Sequence, residues 1–237
     1  MKDKIKNLCL YIKHQYKANS KSYTKYLRKK GIKIGENTHF YSPWTISVDV
    51  QRPWMIEIGN NVHITAGCTV LQHGYDWAVL QKLYGEVLGS TGKVKIGDNV
   101  FIGMKTTILK GVTIGDNIII GANSLVNKNL KSNGVYAGNP IKFIMSIEDY
   151  YEKRKKIQLE EASELVREYH KSYGTNPKKE LLREYYWLFQ DREDKLCTEY
   201  EKTFYLNGNY EQSLTKFKNT KPIFKNYQEF LNYSLNK

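Results

Sequence analysis

Of the five histidines in this 237-residue chain, His73 lies where a repeating pattern stops, within Gln72-His73-Gly74-Tyr75-Asp76-Trp77. An imidazole ordinarily titrates near neutrality, so one held at the edge of a rigid scaffold can take a proton from a hydroxyl and return it to a leaving group. Tyr75, Asp76 and Trp77 are residue types that bind a hydroxylated ligand: rings lie on C–H faces, and a carboxylate accepts from hydroxyls or orients an imidazolium. Asp49, in Ser47-Val48-Asp49-Val50 one coil earlier, is assigned to the same mouth as a further binding residue. The plainer alternatives stay open, namely a structural histidine and rim aromatics that only anchor a loop. Other chemistry lacks its motif. There is no phosphate-cradling Walker loop, no Rossmann glycine pattern and no Gly-x-Ser-x-Gly elbow, and Cys68 has no adjacent base.

The elements that must position His73 are written in sixes. Ile96, Ile102, Ile108, Ile114, Ile120 and Val126 recur at that step, and glycine follows four of them, at Gly97, Gly103, Gly115 and Gly121. Ile34, Phe40, Ile46, Ile58, Ile64 and Val70 keep an earlier stretch in one phase. Six residues advance an α-helix by about 600°, which smears the apolar positions around its surface, and a single strand has a period of two. A short fixed period instead predicts a solenoid whose units bury their apolar side chains only against one another. One strand and one turn per unit close a triangular coil, with Gly-Asp-Asn corners supplying positive-φ turn chemistry. Arg52-Pro53-Trp54 replaces an expected aliphatic and predicts a local break in pairing. From Leu71 to Lys93 the register is lost, so this segment must leave the coil.

Ile96-Gly-Asp-Asn-Val-Phe-Ile-Gly, then Gly111-Val-Thr-Ile-Gly-Asp-Asn, closed by Ala137-Gly-Asn-Pro140, resembles the signature of the hexapeptide-repeat acyltransferases. The resemblance covers about residues 34–146 and implies a mainly β fold, a left-handed parallel β-helix. It also implies a homotrimer, acetyl-coenzyme A as acyl donor with no metal, and a sugar or polysaccharide hydroxyl as acceptor. His73 matches the family's catalytic histidine. The donor groove of the family, between neighbouring subunits, matches Phe101, Gly103, Met104, Gly121 and Ala122, with Asn127, Lys128, Pro140 and Lys142 toward the adenosine phosphate end. Met104 and Met145 depart from the family's small and basic residues, with Lys131 as a substitute cation. An N-acyltransferase on an amino sugar nucleotide, a serine or antibiotic O-acetyltransferase, and a non-catalytic trimeric scaffold remain as rivals. The γ-class carbonic anhydrases share the fold, but their close histidine pair is absent around His39, His63 and His73; His63 is expected exposed at a turn.

Residues 1–33 form a basic segment with eleven Lys or Arg against Asp3 alone. It reads as helical to about Lys30, with Gly31 as a C-cap. Ile5, Leu8, Cys9 and Ile12 could line one apolar face, which leaves two readings open: contact with an anionic membrane surface, or a cap on the solenoid. No nucleic-acid module accompanies the charge. Residues 147–237 read as a helical extension, nearly balanced in charge. One stripe runs through Ile157 to Tyr169, and a second helix is expected through Leu181 to Phe189, with Asn176-Pro177 between them. No apolar run approaches the ~20 residues of a membrane span. The three cysteines, Cys9, Cys68 and Cys197, are scattered and lack metal-ligand spacing. A cytoplasmic location is the expectation.

Overall fold

The computed structural model describes residues 14–236. The chain divides into two compact units, residues 1–150 and 151–237.

The first unit is a three-faced parallel β-helix. Its faces are two four-stranded sheets and one six-stranded sheet, and from Lys33 to Ala137 successive strands of the coil go to different faces. One face stacks Lys33–Ile34, Ile56–Ile58, Val94–Ile96 and Thr113–Ile114. The next stacks His39–Phe40, Val62–Ile64, Val100–Ile102, Ile118–Ile120 and Gly134–Ala137, closed by antiparallel Lys142–Ser146. The third stacks Ser47–Val48, Thr69–Val70, Thr107–Ile108 and Leu125–Val126. The register places like on like: Ile34, Ile58, Ile96 and Ile114 on one face, Phe40, Ile64, Ile102, Ile120 and Tyr136 on the next, and Val48, Val70, Ile108 and Val126 on the third. All but Ile34 are buried in one continuous core.

The corners divide the turn chemistry between two residue types. Asn61, Asn99, Asn117 and Asn133 take positive φ, between 52° and 63°, a region their short polar side chains tolerate. The amides of Asn99, Asn117 and Asn133 form a ladder at 2.9 and 2.8 Å. The corner glycines serve closeness instead: a Cβ on Gly35 would lie 2.6 Å from the carbonyl carbon of Gly59, and one on Gly59 would lie 2.5 Å from the carbonyl oxygen of Gly97. The positive-φ role expected of the whole Gly-Asp-Asn triplet thus belongs to the asparagine. At the predicted break, Pro53 opens a 3-10 turn, Pro53–Met55, where its missing N–H costs nothing.

Two helical expectations change. Among the described residues the basic segment is helical only over Ser20–Lys30, preceded by the 3-10 turn Gln15–Lys17. Asn19 starts the helix by accepting from Ser22 N in a capping box, and Gly31 ends it at φ 108°. The stripe Ile5, Leu8, Cys9 and Ile12 lies outside the described residues.

In the second unit, the helix Ile147–Tyr173 buries Ala162, Ser163 and Val166. The helix expected from Leu181 to Phe189 is instead two 3-10 turns, Lys179–Leu182 and Tyr186–Leu188. Burial overrides the 3.6-residue pattern there: Tyr186 stacks on Tyr200 at 4.5 Å, with Leu182, Leu188 and Phe189 buried beside it. Helices Thr198–Tyr205, Tyr210–Lys218 and Tyr227–Leu235 complete this unit. Among the described residues, no helix is long and apolar enough to cross a membrane.

Ile102 is fully buried in the middle of the six-stranded face. Ile102→Ala is expected to cost about 2–5 kcal/mol by chemical denaturation, whereas Lys95→Ala, on an exposed rung, should change stability by less than about 0.5 kcal/mol.

Candidate active site

The site grows from the corner after the third face. Asp49 follows the inward Val48, and Leu71-Gln72-His73 follows the inward Val70 directly above it. Asp49 N donates to Val70 O at 3.0 Å, and Leu71 N donates to Ile108 O at 2.9 Å, so both segments leave the coil in register. The backbone then departs. His73–Gly74 pairs antiparallel with Ser90–Thr91, and Gly92 N donates to Gln72 O at 2.9 Å, closing the neck of the excursion. Its tip carries the helix Trp77–Tyr84, ended by Gly85 at φ 79°.

The neck brings Asp49 and His73 together. The Asp49 carboxylate hydrogen-bonds His73 Nδ1, and the two side chains are only 8% and 11% exposed. Burial alone would raise the Asp49 carboxyl, but hydrogen bonds from Gln51 N at 3.0 Å, from His73 and from Gln72 N at 3.4 Å outweigh it and hold it below its ordinary value. Asp49, expected among the ligand contacts, is therefore committed to the imidazole. The Tyr75 ring meets His73 edge-on at 5.0 Å, and the residue is 61% exposed. Its hydroxyl and the Gln51 carboxamide are 2.9 Å apart. Trp77 lies 6.1 Å beyond Tyr75, half-buried, and Asp76 is exposed.

Two participants had no signal in the sequence. Gln72 is fully buried, with its amide nitrogen 3.1 Å from His73 Nδ1. Gln51 reaches Tyr75 from 24 residues away. Glutamine fits many surfaces, so only the tertiary neighbours distinguish these two.

The donor-groove residues fall on different corners. Phe101, Gly103, Met104, Gly121 and Ala122 gather where the six-stranded face turns into the third face. Phe101 and Met104 are 43% and 51% exposed. A Cβ on Gly103 would sit 2.5 Å from Ala122 N, so coil stacking by itself requires this glycine. Asn127 and Lys128 are exposed on His73's corner, following Val126, which stacks on Ile108 and Val70. Pro140 and Lys142 are exposed where the chain turns back into its last strand.

His63 is not at a turn. It sits half-buried in the strand Val62–Ile64, opposite His39, with Nδ1 3.0 Å from the Tyr41 hydroxyl. Burial, then the neighbouring His63, lowers the His39 pKa. His73 stands off the three faces, in the paired neck of the excursion, with Nδ1 already engaged. Cys68 is buried with Sγ 3.2 Å from Gly103 O, and burial pushes its thiol pKa up, so it is a packing residue.

The profile of the bacterial transferase hexapeptide family (six repeats) matches residues 93–128. Protein CapG of Staphylococcus aureus is 43% identical over 124 residues, covering 52% of this chain and 71% of that protein. The putative acetyltransferase YvoF of Bacillus subtilis is 37% identical over 125 residues, 53% of this chain and 66% of its own length. Galactoside O-acetyltransferase of Escherichia coli is 36% identical over 131 residues, with 54% and 62% covered. The chain thus spans 62–71% of these relatives' lengths. With its coils of stacked hexads, the chain belongs to the hexapeptide-repeat acyltransferase family.

Proposed function

We propose that the protein transfers an acetyl group from acetyl-coenzyme A to a hydroxyl of a sugar or surface-polysaccharide precursor, with His73 as general base. The contact between the Asp49 carboxylate and His73 Nδ1 carries this reading. An ionised carboxylate only accepts hydrogen bonds, so Nδ1 holds its proton and Nε2 keeps a lone pair for the acceptor hydroxyl. As Nε2 takes that proton, the acceptor oxygen attacks the thioester carbonyl carbon, and Asp49 offsets the charge growing on the imidazolium. A backbone amide near the loop steadies the oxyanion. The C–S bond then breaks, and Nε2–H returns the proton to the departing thiolate. Buried Cys68 takes no part, and transfer is direct.

Tyr75, with Asp76 and Trp77 beyond it, forms the acceptor wall beside the base. A sugar acceptor is supported by the name of the galactoside O-acetyltransferase relative. For the donor, the exposed Phe101, Met104 and Ala122 offer a surface for the pantetheine arm, and exposed Lys128, Lys131 and Lys142 offer ammonium groups for phosphate. Because these residues lie on different corners of one chain, a groove uniting them with His73 calls for a second copy. The outward rungs Phe101, Ile119 and Val135 form an apolar ladder on the six-stranded face that suits such packing in a trimer. Acetyl-coenzyme A supply fits a cytoplasmic site of action, with peripheral membrane contact left to the basic N-terminal segment.

His73→Ala is expected to lower acceptor-dependent thiol release from acetyl-coenzyme A by about 10²–10⁴-fold; an undiminished rate in folded variant would end this mechanism, and acetylation of amines in preference to alcohols would end the acceptor assignment. Asp49→Asn should lower kcat more than it changes either KM, and by less than His73→Ala does. The same variant has a pH signature. A carboxyl held low in the folded state contributes stability that is fully present above its unfolded pKa of about 3.9 and is lost as pH falls through the folded value. Melting temperatures recorded on acidification below about pH 4 should therefore fall more steeply for the wild type than for Asp49→Asn.

A further inference from the structure

The second unit contains a cleft of about 740 Å³, within the range of roughly 300–1,000 Å³ typical of ligand sites. Two helices supply its opposing walls. Tyr151, Arg154, Lys155 and Gln158 follow one another at the spacing of a single face of Ile147–Tyr173. Asn209, Gln212, Ser213 and Lys216 repeat that spacing along Tyr210–Lys218 and its N-cap. Trp187 and Leu188, from the 3-10 turn, line the cleft between them.

Five cations line the cleft against one carboxylate, Glu184. Two of them are already neutralised: Arg154 makes a bidentate pair with Glu161 at 2.8 and 2.6 Å, and Lys155 pairs with Glu152 at 2.9 Å. Arg192 is pinned by carbonyl oxygens, to Trp187 at 2.8 Å and Thr220 at 3.0 Å, and its guanidinium lies 4.1 Å from the Phe217 ring centre. Among the described residues no carboxylate pairs with Lys216 or Lys221. The net positive charge of the cleft is therefore held by Arg192, Lys216 and Lys221.

The uncharged lining narrows the ligand class. Among the described residues, Gln158, Asn209, Gln212 and Ser213 have no side-chain hydrogen-bond partner, so their carboxamides and hydroxyl are free both to donate and to accept. Vicinal sugar hydroxyls demand that pairing, whereas a bare phosphate only accepts. Tyr151, 54% exposed, and Trp187 add ring surface for sugar C–H groups. We propose that this cleft binds an acidic oligosaccharide, its carboxylates at Lys216 and Lys221 and its hydroxyls at the carboxamides. Every residue lining this cleft belongs to the second unit, whereas His73 belongs to the first. On the acetyl-transfer reading, on which this consequence alone rests, the cleft would keep a polymeric acceptor attached between turnovers.

The test is titration calorimetry on the full-length protein, without acetyl-coenzyme A, using trigalacturonate, its neutral counterpart maltotriose, and inorganic tripolyphosphate. Trigalacturonate is expected to bind at least about 10-fold more tightly than either of the others. Lys216→Gln/Lys221→Gln should weaken it by at least about 10-fold, a loss on the order of 1.4 kcal/mol, with an unchanged melting temperature. Tyr151→Ala should weaken both saccharides and leave tripolyphosphate unaffected. Absence of trigalacturonate binding, equal binding of tripolyphosphate, or a double variant that binds normally would each overturn the proposal. None of these outcomes bears on thiol release, so the two readings fail separately.

Discussion

In-register stacking of six-residue units is the constraint on which the first unit depends. Each strand is only two to five residues long, far too short to be stable alone. It persists because its backbone pairs with the coils beside it and its inward side chains pack on those of the neighbouring coils. Such stacking tolerates nothing bulky where coils nearly touch, hence glycine at positions such as Gly59. It needs a left-handed corner residue, hence asparagine at positions such as Asn99. A change at either place therefore disturbs the pairing of neighbouring coils as well as its own turn.

The corner that carries the candidate site uses that register and then abandons it. Because Val48 lies under Val70, the residues following each emerge together, so Asp49 and the Gln72-His73 pair share a corner although 24 residues separate Asp49 from His73. The excursion can leave there without unravelling the coils because its neck is closed by paired backbone, between His73–Gly74 and Ser90–Thr91. The imidazole is thus held from both sides, by a rigid corner below and a short hairpin above. In the proposed reaction, such restraint would keep the imidazole aligned without a reorganisation cost at each turnover.

The second unit follows different rules. Its core is aromatic, with Tyr186, Tyr200, Phe204, Phe217 and Phe230 all buried. Packing those rings takes precedence over helix continuity, and the 3-10 turn Tyr186–Leu188 that results puts Trp187 and Leu188 in the cleft.

The sequence alone carried the coil, its inward ladder, the break at Pro53 and the departure after Leu71, because a six-residue period is local and repeats many times over. It also singled out His73 as a candidate, since an imidazole at a loss of register is visible without knowing its neighbours. It did not carry Asp49 as the partner of Nδ1, Gln72 and Gln51 as supports, or His63 in a strand. These depend on which coil lies above which corner, a relation between distant segments that period alone leaves unspecified. The helix expected from Leu181 to Phe189 failed for a related reason: a helical spacing of apolar residues records that they are buried, but only the rings packed against them decide the backbone path. Tertiary structure likewise assembled the cleft from segments near residues 151, 187 and 216, because uncompensated charge is a property of neighbours in space.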